Sequence, residues 1–236
     1  MGDQRRILST SPENIESPLS ETHGWVTPNR LFFVRSHFAT PEIDLARWRL
    51  AVAGCVEREL SLTWDQLNAL PQRSLFATLE CAGNGRSFLQ QRVEGIQWQA
   101  GAVGHAEWTG VPLRHLLAQA RVRQDATEIV FEGADRGSEK DHPVEMSFAR
   151  SLPLEKAQHP DTLVVTRMNG EVLEPSHGFP ARLLVPGWFG VASVKWLTRI
   201  EAVAEPFQGY YQSVKYTVRR RTGRGVETEV VGAISV

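Results

Sequence analysis

The sequence predicts a mixed α+β fold formed by one domain over residues 1–236. Segments rich in β-branched and aromatic residues outnumber the amphipathic segments with helical spacing. The two kinds do not alternate regularly along the chain, as they would in a doubly wound parallel sheet. The chain also contains neither an internal repeat nor a low-complexity linker, which favours a single domain.

The predicted elements follow from local composition. Residues 1–28 are polar and rich in Ser, Glu and Pro, and are predicted to form an N-terminal arm laid over the core. Strands or extended segments are predicted at 31–38, 48–54, 73–83, 127–133, 161–170, 181–187 and 191–203. Helices are predicted at 63–70, capped by Thr63 and ended by Pro71, and at 111–120, where apolar residues recur at helical spacing. Residues 217–236 are predicted to form a C-terminal tail.

Charge and hydropathy limit the classes of partner. The chain has 26 basic and 27 acidic residues, so no global field attracts nucleic acid or an anionic membrane surface. No apolar run approaches the roughly 18 residues that a transmembrane helix needs. The first residues lack the apolar core of a signal peptide. We therefore expect no nucleic-acid or membrane partner, and a cytoplasmic location, or a periplasmic one if a signal has been removed.

Several common catalytic and metal-binding motifs are absent from the sequence. The chain has no CxxCH for covalent haem, no HExxH for zinc, no GxxxxGK[ST] for nucleotides and no GxSxG for hydrolysis. A GxGxxG pattern fails because Phe88 stands at the third glycine. The two cysteines, Cys55 and Cys81, form no CxxC pair, and a disulfide between them lacks a supporting pattern.

The segment LECAGNGRSF (79–88) places a cysteine where a buried strand enters a glycine loop. Gly83 and Gly85 allow the backbone to approach a bulky ligand closely, and Arg86 can place a cation beside the same space. The alternative is that Cys81 is a small buried apolar side chain, as lone cysteines usually are.

Two further segments carry clustered cations. His177, Arg182 and Lys195 lie on turns rich in glycine and proline, a set that suits a buried phosphate; the alternative is that Arg182 and Lys195 are ordinary surface charges. Arg35 and His37 are two positions apart on an extended segment, so their side chains share a face. Such a pair calls for an anion or a buried acid, unless it lies on a solvent-facing edge strand.

Taken in order, these motifs resemble a known family. FFVRSH, LECAGNGRS, FEGAD, MNG…HGFPARLLVPG and VKWL follow one another as in the molybdenum domain of sulfite oxidases, which eukaryotic nitrate reductases share. The resemblance runs from about Thr27 to Tyr216. It implies a multi-sheet α+β domain that binds one molybdopterin, whose dithiolene holds molybdenum.

The resemblance also implies roles for individual residues. Cys81 matches the family's metal-ligating cysteine. The positions that match cofactor contacts are Arg35, His37, Cys81, Asp135, His177, Arg182, Ser193 and Lys195. Those that match the substrate pocket are Arg35, Arg86, Trp98 and Tyr216, of which Arg35, Arg86 and Tyr216 are the predicted catalytic residues.

The function implied is oxidation of sulfite to sulfate by oxo transfer, with electrons passing to an external one-electron acceptor such as a cytochrome. We expect a monomer. The alternatives are a nitrate or sulfoxide reductase with the same cofactor, and a non-catalytic molybdopterin-binding module.

The sequence departs from the family pattern in several places. Gly85 stands where an arginine is common, and Ser36 where asparagine is common. The resemblance covers neither the haem domain nor the C-terminal dimerisation domain of the larger enzymes. Because that second domain supplies an arginine to the pocket, we expect a more open anion site here. The four arginines of residues 217–225 could substitute for it, although a solvated tail is favoured.

Overall fold

The computed structural model of the protein describes residues 5–223 and 225–234. Within that part of the chain the strands are β1 (Arg6–Thr10), β2 (Glu13–Glu16), β3 (Val34–Arg35), β4 (Leu50–Gly54), β5 (Leu60–Leu62), β6 (Arg73–Glu80), β7 (Val103–Pro112), β8 (Glu128–Glu139), β9 (His142–Pro153), β10 (Leu163–Met168), β11 (Glu171–Val172), β12 (Arg182–Leu184), β13 (Leu197–Val203), β14 (Thr217–Thr222) and β15 (Gly225–Val230). The α-helices are α1 (Trp64–Asn68), α2 (Leu113–Ala120), α3 (Leu154–Gln158) and α4 (Tyr210–Ser213). No helix in the described residues is long and apolar enough to span a membrane.

The strands form two larger sheets and two small ones. One larger sheet has the order β11-β10-β7-β6, with β12 also paired to β10; the other has the order β5-β4-β13-β8-β9. In the second sheet β13 runs parallel to β4 and antiparallel to β8. The small sheets are β1-β2-β3 and the hairpin β14-β15. Short helices beside mixed sheets confirm the predicted α+β class.

The helix predicted to start at Thr63 is confirmed, and its cap is complete. The Thr63 hydroxyl accepts a hydrogen bond from the Gln66 backbone N–H (3.2 Å), and the Gln66 side chain accepts one from the Thr63 N–H (2.8 Å). This reciprocal capping box satisfies two N–H groups at the start of the helix. The helix predicted at 111–120 begins later, at Leu113, because residues up to Pro112 belong to β7.

The strand or extended segment predicted for residues 31–38 pairs as a strand only at Val34–Arg35. A 3-10 turn, Asn29–Leu31, precedes it, and Phe32 has an extended backbone. Residues 31–34 are nevertheless buried. The dense apolar residues therefore indicate burial and not strand pairing. A short apolar run does not by itself distinguish the two.

Two long strands, β7 and β9, were not predicted. β7 contains Gly104, Glu107 and Gly110, and β9 contains Pro143 and Glu145, residue types that are depleted in strands. Both pair along most of their length, β7 with β6 and β9 with β8. Long-range pairing thus outweighs local preference here.

The predicted N-terminal arm and C-terminal tail differ in how deeply their residues are buried. Within the predicted arm, residues 14–17 are buried and β2 pairs with β3, so this segment forms part of the fold rather than lying over it. Part of the predicted tail forms the hairpin β14-β15, whose described side chains beyond Thr217 are exposed, whereas Val231 and Ile234 after it are partly buried. The exposed Arg219 and Arg221 match the solvated alternative.

Candidate cofactor and active site

A cavity opens where the ends of β3, β6 and β12 meet the turn that precedes β13. Every predicted site residue except Arg86 and Trp98 lies in its wall. These wall residues are Arg35, His37, Cys81, Asp135, His177, Arg182, Ser193, Lys195 and Tyr216. The cavity therefore gathers side chains that are as much as 181 positions apart in the sequence (216 − 35).

Cys81 lies directly after β6, on a loop that fixes the direction of its sulfur. Its N–H donates to the Ala102 carbonyl (2.9 Å), and its carbonyl accepts from the Asn84 N–H (2.8 Å). The Gly83 N–H donates to the Cys81 Sγ (3.5 Å). The loop thus fixes the position of the sulfur, and a cysteine sulfur is a ligand type that suits a soft metal.

Arg182 and Lys195 place two cations in the cavity wall. Arg182 is 6% exposed; its Nη1 donates to the His177 carbonyl (3.0 Å) and its Nη2 to the Ser193 carbonyl (3.1 Å). Lys195 Nζ donates to the Ser36 hydroxyl (2.8 Å) and the Ser176 carbonyl (2.9 Å). Burial lowers the pKa of Arg182 to about 9 and, with the nearby Arg182 charge, holds the pKa of Lys195 well below its usual range. The alternative that these two are ordinary surface charges is wrong.

Burial shifts the pKa values of His177 and Asp135 in opposite directions. His177 Nε2 lies 3.0 Å from the Asn29 carbonyl, and because a carbonyl only accepts, this nitrogen carries the hydrogen. Burial lowers the pKa of His177 to about 4. Burial also raises the pKa of Asp135 to about 7, although the Lys195 charge opposes the rise. At neutral pH His177 is therefore uncharged, and Asp135 is balanced between its two forms.

Arg35, His37 and Tyr216 form the remaining polar wall. The Tyr216 hydroxyl lies 2.7 Å from His37 Nε2, and the His37 ring stacks on Phe148 with 4.6 Å between ring centroids. Burial, together with the Arg35 charge, holds the pKa of His37 well below its usual range. Burial raises the pKa of Tyr216, and the Arg35 charge opposes that rise. A neutral ring and a protonated hydroxyl thus share one hydrogen bond beside a guanidinium.

Comparison with known proteins decides the family. The family model of the oxidoreductase molybdopterin binding domain matches residues 37–211, which is well over half of the chain. The chain belongs to this family. The predicted resemblance, fold class and molybdopterin cofactor are thereby confirmed.

Individual relatives are similar to this chain over most of its length. The mitochondrial sulfite oxidase of Rattus norvegicus is 37% identical over 219 residues, covering 89% of this chain and 39% of that protein. An NADH nitrate reductase of Solanum lycopersicum is 38% identical over 221 residues, covering 87% of this chain and 23% of that protein. The crystal structure of the sulfane dehydrogenase SoxCD from Paracoccus pantotrophus is similar with a TM-score of 0.80 at 31% identity, covering 95% of this chain and 56% of that one. This chain thus spans well under two thirds of each.

The donor set of this molybdopterin-binding domain fits the family's cofactor. Two buried polar atoms in the described wall have no protein partner, Nε of Arg182 and Oδ1 of Asp135. A phosphate oxygen would satisfy the first, and an N–H of a pterin ring would satisfy the second. Cys81 would supply a soft sulfur ligand to the metal. The described residues contain no cluster of three or more His, Cys, Asp or Glu that could hold a metal by themselves.

The structure does not bring Arg86 and Trp98 to the cavity wall. The guanidinium of Arg86 lies where a Cβ on Gly83 or on Gly95 would stand, and its Nη1 donates to the Ile96 carbonyl (3.0 Å). A side chain at position 83 would collide with the Arg86 guanidinium, so Gly83 leaves room for Arg86 as well as for any ligand that approaches the loop. Trp98 is fully buried in the same apolar core as Cys81. The substrate-pocket roles of both residues stay predictions.

One buried cation behind the site was missed in the sequence. Arg150 on β9 is 1% exposed, and its guanidinium lies 5.8 Å from the centre of the Tyr216 ring. It donates to the Tyr211 carbonyl through Nη1 and to the Val231 carbonyl through Nη2 (2.7 Å). Arg150 thus ties the segments on both sides of Tyr216 to β9. No local pattern marks it, because both acceptors are more than 60 positions away in the chain.

Proposed function

We propose that this domain oxidises sulfite to sulfate at a molybdenum–molybdopterin cofactor and passes the electrons to an external one-electron acceptor. When bound, the cofactor supplies two-electron oxo transfer. The overall change converts sulfite and water into sulfate, two protons and two electrons. The protein's residues then have to hold the cofactor, bind an anion and manage protons, as in other enzymes whose cofactor carries the chemistry.

The observation that carries the proposal is the imbalance of buried charge around one sulfur. Among the described residues that line the cavity, Arg35, Arg182 and Lys195 are basic, and Asp135 is the single carboxyl, with a pKa that burial raises to about 7. Buried cations without acid partners are costly, and a bound anion offsets that cost. The arrangement therefore suits an anionic cofactor and an anionic substrate beside Cys81.

The wall residues divide this work by position. Arg182, Lys195 and His177 would hold the anionic end of the cofactor, since they lie together around the turn that precedes β13. Arg35 would bind a sulfite oxygen, because a guanidinium offers several donors to an oxyanion. Tyr216 would donate or accept one hydrogen bond at the reacting end. His37 keeps that hydroxyl in place and, being neutral, adds no further charge.

The relatives support two substrates, and one assay separates them. Sulfite oxidases and nitrate reductases match the chain about equally well. Within the family resemblance, a tyrosine at position 216 favours sulfite. Molybdenum-loaded protein should reduce ferricyanide when sulfite is added. Ready reduction of nitrate from a reduced dye, with sulfite left unchanged, would contradict the proposal, and loaded protein that acts on neither would point to a non-catalytic module.

The acceptor and the assembly state are also proposals. A cytochrome is a suitable acceptor because it takes the two electrons one at a time. We infer a monomer, which light scattering of the purified chain would test: a mass near 26.4 kDa is expected, and a mass near twice that value would contradict it.

A further inference from the structure

The N-terminal strands β1 and β2 lie outside the span of the family model, and β2 contacts residues of the cavity wall. β2 pairs antiparallel with β3, with Asn14 opposite Arg35. The Ser36 N–H donates to the Glu13 carbonyl (3.1 Å), which continues the pairing by one more bond. The backbone that carries Arg35 is therefore held in extended form by a segment that the sequence suggested was only a surface arm.

The side chain of Asn14 uses both ends of its amide. Oδ1 accepts from Arg35 Nη1 (3.2 Å) and from the Ser36 N–H (3.3 Å). Nδ2 donates to the Ser9 hydroxyl (2.8 Å) and to the Pro12 carbonyl (3.0 Å). Asn14 is 1% exposed, so water does not compete for these bonds. With donors on one side and acceptors on the other, the amide has one favourable orientation.

The segment that carries Asn14 is itself anchored to the core. The buried carboxylate of Glu16 accepts from the Gln99 N–H and, at 2.8 Å, from Arg6 Nη1. The Ser17 N–H donates to the Gly101 carbonyl (2.9 Å). These contacts fix β2 to the loop that precedes β7, and that loop also receives the Cys81 N–H at Ala102. Asn14 thus has a rigid support on the side of the molecule where Cys81 lies.

We propose that Asn14 is a positioning residue for Arg35 and so completes the oxyanion site from the N-terminal arm. Nη1 of Arg35 donates to Asn14 and to the Ser36 carbonyl, and the guanidinium also lies beside the Tyr216 hydroxyl. The donors that these contacts leave over would meet a bound oxyanion. Without Oδ1 of Asn14 the guanidinium rotates among several positions, and each bound anion must order it again. The proposal rests on the proposed function for its substrate, but its contacts are those of any small tetrahedral or pyramidal oxyanion.

The test compares Asn14→Ala with the matched variant Ser9→Ala on cofactor-loaded protein. Ser9 belongs to the same arm and contacts the other end of the Asn14 amide, so its loss leaves the bond to Arg35 in place. Asn14→Ala should raise the sulfite KM about tenfold, the size expected for one charge-assisted hydrogen bond, with little change in kcat. Ser9→Ala should stay within about twofold of wild type. Asn14→Ser, whose hydroxyl can still bond within the arm but does not reach Arg35, should match Asn14→Ala and serves if the alanine variant does not fold.

A double-mutant cycle distinguishes positioning from a general loss of structure. In an Arg35→Ala background, Asn14→Ala should have no further effect on KM, because the group it orients is gone. Sulfate affinity, measured by calorimetry on the same loaded proteins, should follow the same pattern independently of turnover. An unchanged KM in the Asn14 variants, or an equal effect with and without Arg35, would overturn the proposal. Loss of the proposed function would instead show as no sulfite turnover in wild type, while the calorimetric cycle still reports on Asn14.

Discussion

Replacing Arg182 by methionine should separate the stability of the apoprotein from its capacity to bind cofactor. Burial lowers the pKa of Arg182 from 12.5 to about 9, a desolvation cost of about 5 kcal/mol. Methionine removes that cost and keeps most of the volume. It also removes two charge-assisted hydrogen bonds, to the carbonyls of His177 and Ser193, worth about 4 kcal/mol together. The two effects nearly cancel, so the unfolding free energy of the apoprotein should change by less than about 2 kcal/mol.

The assay is thermal unfolding of apoprotein and cofactor-loaded protein, with molybdenum measured on both. For a chain of this size, about 2 kcal/mol corresponds to a Tm change of roughly 8 °C at most. Molybdenum content should fall by at least about tenfold, because a desolvated phosphate loses a charged partner. Lys156→Met is the control: this half-buried lysine also bonds a carbonyl, that of Pro186, but lies outside the cavity wall, so molybdenum content should stay unchanged. An Arg182→Met apoprotein that loses more than about 10 °C, or one that keeps full molybdenum, would refute the reasoning.

Three further predictions concern other wall residues. Cys81→Ser should abolish sulfite turnover while the cofactor remains bound through its other contacts. Cys55 lies outside the cavity wall, so Cys55→Ser should keep nearly full activity. Equal activity of the Cys81 variant and wild type would contradict the assigned ligand. Tyr216→Phe removes only the hydroxyl that meets His37, so kcat should fall while KM stays within about threefold, and the reverse pattern in steady-state kinetics would assign Tyr216 to substrate binding instead. Asp135→Asn should stabilise the apoprotein relative to wild type as pH rises from about 4 to 7. Because burial raises the pKa of Asp135 to about 7, the wild-type carboxyl contributes stability below pH 3.8 and loses up to about 4 kcal/mol of it as pH rises through 7. Denaturant titrations that show no pH-dependent difference between the two proteins would count against the burial of Asp135.

The residues that the sequence identified lie in short continuous motifs. Cys81 follows a strand and precedes a glycine loop, and His177, Arg182 and Lys195 lie on turns near one another in the chain. Local sequence determines such turns, so the side chains that they present could be predicted together. The structure places all of them in one cavity wall.

The residues that the sequence missed depend on pairing between distant segments. Asn14 meets Arg35 only because β2 pairs with β3, and Arg150 meets the Tyr211 carbonyl only because β9 packs under α4. Arg86 is a different case, because its predicted substrate role stays untested. Its position in the motif suggested the pocket, and in the structure the close approach of Gly83 and Gly95 forms a slot for its guanidinium outside the cavity wall. Register and loop closure decide these cases, and neither can be read from composition.

We assign Cys81 as the protein's ligand to a molybdenum held in this cavity. X-ray absorption at the molybdenum edge tests it most directly, on wild type and on Cys81→Ser loaded with cofactor to the same level. Wild type should contain about one molybdenum and one molybdopterin per chain, and the variant should show one sulfur neighbour fewer around the metal. An identical sulfur shell in the two proteins, or wild type that takes up no molybdenum when expressed with molybdate, would contradict the account.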